Sequence, residues 1–132
     1  MNANRIYVLD SEGLSRWVGG ERRLGAYLKR AENARAPVVT TSMTLIEAYH
    51  AKVRLPSWHW ALSRIRVEPV TEEIAGEAIK LLKDAGLHGH KYAIDAALAA
   101  VALRHPGPVT VLTSDEDDMR KLCGDRVLVV KL

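Results

Sequence analysis

Short runs of aliphatic and β-branched residues constrain the fold of this chain more than any other feature. Three of them, Ile6–Leu9, Val38–Thr41 and Val109–Thr113, are apolar or β-branched throughout instead of alternating with polar residues. Strands of this kind are typical of parallel sheets that are buried on both faces. Two further short strands are predicted at residues 66–70 and 127–130.

The segments between these runs carry their apolar residues at helical spacing. Leu24, Leu28 and Ala31, for example, fall on one helical face. Thr71 and Gly86 are typical of a helix start and a helix end. The predicted helices cover residues 11–17, 21–34, 44–53, 58–65, 72–85, 92–104 and 115–122. Strands that alternate with helices predict a single α/β domain over residues 1–132, with a central parallel sheet of about five strands.

Composition narrows the class of protein. Hydrophobic residues make up 48% of the 132 residues, which is enough to build a packed core. No apolar run approaches the roughly 20 residues of a membrane span, and no secretory leader is recognisable. Cys123 is the only cysteine, which excludes an internal disulfide and argues against a cysteine-based zinc site. We therefore expect a cytoplasmic protein with no membrane contact.

Three carboxylates are expected at one edge of the sheet. Asp10 follows the first predicted strand directly, and Asp115 comes two residues after the strand that ends at Thr113. Glu47 is expected in the first turn of the helix after the second strand. In open α/β sheets, ligands bind outside the carboxyl ends of the strands, so these three side chains form a candidate site.

Asp95 joins this set for a different reason. It is the only charged residue between Lys91 and Arg104, in a predicted helix that is apolar nearly all round. Such a helix should be largely buried. An ionised carboxylate in that position is costly unless it is paired or bound to a metal.

Each carboxylate also has a purely structural interpretation. Asp10 could cap the following helix, and Thr44 with Glu47 matches a capping box. Ser114 could cap the last helix, while Asp95 and the acidic residues from Asp115 onward would be favoured in first helical turns. If each carboxylate had only a structural role, their common position at one edge of the sheet would be a coincidence. The interpretation of all four as one site is therefore preferred.

Motifs around these residues resemble those of PIN-domain nucleases, and the length and element order resemble VapC-type toxins of toxin–antitoxin pairs. In chain order the motifs are LD ending at Asp10, TLIEA around Glu47, YAIDA around Asp95 and TSDEDD from Thr113 to Asp118. The resemblance covers essentially the whole chain. It implies a three-layer α/β/α sandwich, metal-dependent endoribonuclease activity on RNA, a cognate antitoxin that blocks the site, and a homodimer.

The resemblance also assigns residues. Asp10, Glu47, Asp95 and Asp115 match the acidic quartet, and Thr113 and Ser114 match hydroxyl positions that orient it. Asp118 and Asp117 compete for an accessory acidic role. Oxygen ligands suit Mg²⁺ or Mn²⁺. We expect Asp10 and Asp115 to bind the metal directly, and Glu47 and Asp95 to bind it directly or through water.

The net charge is only +3, but the basic residues are clustered. Residues 16–35 contain six basic and two acidic side chains, and residues 52–66 contain four basic and none acidic. Arg16, Arg22 and Arg23 are candidates to steer RNA toward the acidic site. Trp58 and Trp60 cannot share one helical face, so one should pack inside and the other is a candidate for a dimer or antitoxin contact.

Two other functions were considered. A phosphoacceptor signalling domain has a similar size, but it needs paired acids after the first strand and an aspartate after the third. Here Ser11 follows Asp10, and no aspartate closes the third strand. A catalytically inactive PIN-like binding module is the remaining alternative, and metal-dependent cleavage of RNA distinguishes it from a nuclease.

Overall fold

A computed structural model describes residues 4–132; the first three residues of the predicted domain lie outside this range. The described chain alternates strands and helices in the predicted order. The strands are β1 (Ile6–Leu9), β2 (Val38–Thr41), β3 (Arg66–Glu68), β4 (Val109–Thr113) and β5 (Leu128–Lys131). The helices are α1 (Ser11–Val18), α2 (Arg22–Asn33), α3 (Ser42–Ala48), α4 (Leu55–Ser63), α5 (Glu72–Ala85), α6 (Gly89–Arg104) and α7 (Glu116–Cys123).

All five strands are parallel, in the order β3-β2-β1-β4-β5. The chain adds β2 and β3 on one side of β1 and then returns to add β4 and β5 on the other. The strand order therefore reverses between β1 and β4, where Leu9 pairs with Leu112. A crevice forms at such a reversal, outside the carboxyl ends of the two strands.

Helices cover both faces of the sheet. Successive strand residues point to opposite sides, so strands that are apolar throughout present apolar side chains on both faces, and the helices bury them. Val8 and Val111 pack toward α5, α6 and α7, whereas Leu9 and Leu112 pack toward α2. A third apolar cluster around Leu14 joins α1, α3 and α4. The predicted α/β class and three-layer sandwich are confirmed. No helix within residues 4–132 is long and apolar enough to cross a membrane.

The largest error in the sequence prediction concerns α3. It begins at Ser42, directly after β2, and the side chain of Thr41 accepts the hydrogen bond from the Thr44 N–H group. The prediction that Glu47 lies in the first turn is therefore wrong, since Glu47 lies near the end of the helix, and the alternative interpretation as a capping box with Thr44 is wrong with it. Thr41 was assigned to the strand, but a threonine at a strand end can also cap the helix that follows it.

Two other helices begin earlier than predicted. Pro56 lies within the first turn of α4, where its missing N–H group costs nothing, so the helix starts at Leu55. Helix α6 starts at Gly89 and contains a residue with non-helical backbone angles, Tyr92, where the predicted helix began. From Ala96 to Ala102 every residue of α6 is buried, as its apolar sequence predicted.

Candidate active site

Asp10 lies at the reversal of strand order and connects β1 to β4. Its side chain is only 3% exposed. One carboxylate oxygen, Oδ1, accepts a hydrogen bond from the N–H group of Gly13 at 2.8 Å and caps α1. The other, Oδ2, accepts hydrogen bonds from the Thr113 hydroxyl at 2.7 Å and from the Ser114 N–H group at 3.0 Å. Asp10 is thus both a helix cap and a residue fixed in the crevice.

Three donors hold the Asp10 carboxylate without a cation. Burial raises its pKa above the ordinary value, the hydrogen bonds from Gly13, Thr113 and Ser114 oppose this, and the charge of Asp115 raises it further. No basic side chain within residues 4–132 forms an ion pair with it. The carboxylate is therefore buried, held by three hydrogen bonds and without a basic partner in this part of the chain.

Thr113 and Ser114 orient the site in different ways. The buried Thr113 hydroxyl donates to Asp10 and accepts a hydrogen bond from the Asp115 N–H group at 2.8 Å. Ser114 holds Asp10 through its backbone N–H group instead of its hydroxyl. Asp115, not Ser114, occupies the N-cap position of α7, and its side chain makes no capping hydrogen bond. The Asp115 carboxylate therefore remains available at the crevice.

The pKa of Asp95 is raised further above its ordinary value than that of any other carboxylate in the site. It lies half-buried on α6, and its pKa is raised to about 7. Burial is the largest cause, followed by the negative charges of Asp115, Asp10, Glu47 and Asp118 in that order. Like charges raise one another's pKa only when they lie close together. The structure thus brings Asp10, Glu47 and Asp115 within electrostatic reach of Asp95.

Glu47 and Asp115 form the exposed side of this cluster. The pKa of Asp115 is raised by partial burial and then by the charges of Asp118 and Glu47. Although α3 begins earlier than predicted, it packs against α1 and α6 and so carries Glu47 to the cluster. Asp118 is among the main charges that raise the pKa of Asp95 and of Asp115, whereas Asp117 is exposed and is not among the main causes of either shift. Of the two accessory candidates, the structure thus places Asp118 nearer the cluster.

The donor set of this cluster fits a hard divalent cation. As the side chains stand, residues 4–132 contain no group of three carboxylate, imidazole or thiol side chains close enough to share one ion. The chemistry of the cluster nevertheless consists of carboxylate oxygens, partly buried and mutually repelling, with no basic partner. Mg²⁺ and Mn²⁺ prefer such oxygen ligands, and a bound cation would remove the repulsion.

The predicted basic residues have partners of their own. The Arg16 guanidinium donates to Glu12 at 2.8 Å and to Glu21 at 2.9 Å, so it links α1 to the start of α2. Arg23 donates to the carbonyl oxygen of Lys131, and Arg22 is exposed. The charge of Arg16 is therefore neutralised by two acids, and Glu12 has a structural partner.

The two neighbouring tryptophans separate as predicted. Trp58 is buried, whereas Trp60 is 51% exposed and packs its ring 5.1 Å from that of Trp17. Cys123 is also buried, and burial raises the pKa of its thiol to about 11. These features are consistent with packing roles for Trp58 and Cys123.

Sequence reasoning missed Gly13. Its N–H group holds Asp10, and a Cβ atom at this position would lie 3.2 Å from the carbonyl oxygen of Leu112. Glycine thus lets α1 approach β4 closely enough for Asp10 to bridge the two strands. The signal was present, since Gly13 lies three residues after a helix-capping aspartate.

Comparison with known proteins gives one family and one fold. Residues 7–125 match the PIN domain family. No curated protein matches the chain in sequence. Among solved structures, the chain is similar to VapBC2 from Rickettsia felis bound to a DNA fragment from its promoter, with a TM-score of 0.69 and 14% identity over 96% of this chain and 98% of that one.

A second solved structure, a toxin–antitoxin complex from Klebsiella pneumoniae, has a TM-score of 0.64 and 18% identity to this chain. The match covers 96% of this chain and 99% of that one. At these identities the two structures establish a shared fold.

Proposed function

The chain belongs to the PIN domain family, and from its acidic crevice we propose that it is a metal-dependent endoribonuclease that hydrolyses RNA phosphodiester bonds. One observation carries the proposal. Asp10, Glu47 and Asp115, from three other parts of the chain, lie within electrostatic reach of Asp95 at the reversal of strand order, and no basic side chain within residues 4–132 forms an ion pair with any of the four. Holding these negative charges close together and partly buried costs free energy in the metal-free protein, and clusters of this kind are typical of catalytic sites.

Asp10, Glu47, Asp95 and Asp115 are the residues that would hold Mg²⁺ or Mn²⁺, with Asp118 as an accessory acid. When bound, such an ion lowers the pKa of the attacking water and offsets the negative charge of the phosphodiester. Asp10 supplies a fixed point, because three hydrogen bonds hold its carboxylate. Glu47 and Asp115 are exposed and can adjust their side chains on binding.

Asp95 adds a proton-linked step. With a pKa of about 7, it is partly protonated at neutral pH in the metal-free protein. Its carboxylate must lose that proton to bind a cation, so cation binding should strengthen as the pH rises through 7. Without a cation, the cluster also repels the scissile phosphate, so placement of that phosphate at the cluster should depend on the ion, whereas flanking nucleotides can bind elsewhere without it.

Arg22 and Arg23 remain candidates to steer RNA toward this cluster, since the charge of Arg16 is already neutralised. Replacing Arg22 and Arg23 together with Ala should weaken RNA binding and reduce its dependence on salt. Unchanged affinity and salt dependence would rule out the steering role.

We further propose that the chain is the toxin of a toxin–antitoxin pair, acts in the cytoplasm, forms a homodimer and is inhibited by a cognate antitoxin. Two solved structures with this fold support the first part, because they contain toxin–antitoxin partners. The exposed Trp60 is a candidate contact for either protein partner.

RNA cleavage tests the function and the site together. Purified wild-type protein should cleave mixed structured RNAs in Mg²⁺ or Mn²⁺ and should lose all activity in excess EDTA. Asp10→Asn and Asp95→Asn should each abolish cleavage. Asp84→Asn, an exposed change on α5, is the matched control and should retain it.

The alternative is a PIN-like binding module without catalysis. One observation favours it, since no three potential ligands within residues 4–132 converge on a single point as the side chains stand. Absence of cleavage by folded, antitoxin-free protein across many RNAs would support this alternative. Cleavage that survives EDTA would instead contradict the metal dependence.

A further inference from the structure

A basic pocket lies beside the acidic cluster, where the chain turns from α3 into α4. Its volume is about 300 Å³. His50, Lys52 and Arg54 line it from the loop, and Ser15 and Ser57 line it from α1 and α4. No acidic side chain lines the pocket. The basic segment after residue 52, which the acidic site leaves unexplained, begins here.

The three basic side chains are exposed, and no acidic group in the described part of the chain neutralises them. None of the ion pairs within residues 4–132 involves His50, Lys52 or Arg54. The Lys52 N–H group donates to Nδ1 of His50 at 3.2 Å, which leaves Nε2 to carry the hydrogen in the neutral ring. The imidazole can therefore donate a hydrogen bond into the pocket in either charge state.

Arg54 lies at the N-terminus of α4, a position that is unfavourable for a positive charge unless an anion is bound there. It occupies the N-cap position of α4, and its side chain makes no capping hydrogen bond. The helix dipole places partial positive charge at this end, so an arginine there adds repulsion. A bound anion would instead be attracted both by the Arg54 charge and by the dipole of α4. The position of Arg54 thus favours a negatively charged ligand.

The pocket is close enough to the acidic cluster to bind the same molecule. Ala48, which lines it, follows Glu47 directly in the chain. Ser15 lies five residues after Asp10 along α1, which corresponds to about 7.5 Å of helix. A nucleic-acid strand with one phosphate at the cluster would bring the phosphates beyond it to the pocket.

An exposed aromatic side chain that packs against Trp58, one of the residues lining the pocket, favours nucleic acid over an acidic peptide. Tyr49 is 45% exposed, and its ring meets that of Trp58 edge-on at 5.1 Å between centroids. Its ring is therefore held in place while much of its surface remains accessible. Single-stranded nucleic acids bind to such combinations of basic grooves and exposed aromatic rings.

We propose that His50, Lys52 and Arg54 form a phosphate-binding subsite for the single-stranded RNA that flanks the scissile bond, with Tyr49 stacking against one of its bases. This inference rests on the proposed ribonuclease function. It assigns the substrate a path from the acidic cluster across the α3–α4 loop.

Binding of a labelled single-stranded RNA of about twelve nucleotides, in EDTA and at low salt, tests the subsite without cleavage. Lys52→Ala combined with Arg54→Ala should weaken binding at least about tenfold and lower the salt slope by about 1.4, or about 0.7 for each lost phosphate contact. Lys80→Ala combined with Lys83→Ala removes the same charge from exposed positions on α5, on the other face of the sheet. This control should change binding less than about threefold.

Several outcomes would overturn the subsite. The first is an equal loss of RNA affinity in the two double variants, and the second is a wild type that binds RNA no more tightly than Lys52→Ala/Arg54→Ala. The third is a polyglutamate peptide that competes for the protein as well as RNA of equal charge. The last would identify an acidic polypeptide as the ligand. Wild-type cleavage measured in parallel separates the two proposals, because normal cleavage with unchanged binding refutes only the subsite.

Discussion

Asp95→Asn should stabilise the metal-free protein at neutral and alkaline pH, although it destroys the proposed activity. The carboxylate of Asp95 has its pKa raised from 3.8 to about 7, chiefly by burial and then by four neighbouring carboxylates. Asparagine has nearly the same shape and carries no charge. The substitution therefore removes the cost of holding this negative charge in the folded state.

The sign and size of the effect follow from linkage. Because the folded pKa lies above the unfolded one, the folded wild type binds more protons between pH 4 and pH 7, and it loses stability as the pH rises through this window. At about 1.4 kcal/mol for each pKa unit, the full cost above pH 7 would be about 4 kcal/mol. Water screens the partly exposed carboxylate, so we expect about 1–3 kcal/mol.

Urea denaturation in EDTA at pH 4, 6 and 8 measures this difference. The gain in unfolding free energy of Asp95→Asn over wild type should be near zero at pH 4 and reach its full value at pH 8. Asp117→Asn is the matched control, since Asp117 is exposed and is not among the main causes of the raised pKa of Asp95. That change should alter stability by less than about 0.5 kcal/mol. A gain that is absent at pH 8, or equal at all three pH values, would refute the reasoning.

Three other changes probe the same architecture. Thr113→Val keeps the shape of a buried residue but removes the hydroxyl that holds Asp10, so urea titration should show a loss of about 1–3 kcal/mol; unchanged stability would contradict the structural role of this hydrogen bond. Gly13→Ala forces a Cβ atom to 3.2 Å from a carbonyl oxygen and should cost about 1–3 kcal/mol, whereas Gly76→Ala meets open space on α5 and should add about 0.5–1 kcal/mol. The buried Cys123 thiol, with its pKa raised to about 11, should resist alkylation by iodoacetamide at pH 8 until the protein unfolds. Rapid labelling of the folded protein would contradict the burial of this side chain.

Local sequence patterns were sufficient for the order of elements and for much of the site. A strand such as Ile6–Leu9 is visible because its residues are apolar throughout, and Asp10 is placed at its carboxyl end by adjacency alone. The burial of α6 followed equally from its run of alanine and other apolar residues around Asp95. These properties depend on residues that are neighbours in the chain, so the sequence contains them directly.

Helix starts were less accessible to prediction, because one residue type can serve two roles. Thr41 ends a strand and caps α3, and Pro56 is compatible both with a break before a helix and with a first helical turn. Propensity does not distinguish these uses. Packing does: it fixes where α3 leaves the sheet, and it thereby decides the position of Glu47.

The amino-acid sequence alone is enough to predict that this protein alternates strands and helices around a parallel sheet and that acidic residues follow its strands. The position of β4 beside β1 is visible only in the folded chain, where Thr113 and Ser114 hold Asp10 although they lie more than 100 residues away. The same holds for the Asp95 carboxylate, whose pKa depends on charges from four other positions. Strand order is set by how the crossover helices pack on the two faces of the sheet, and that balance of long-range burial is not readable from any local segment.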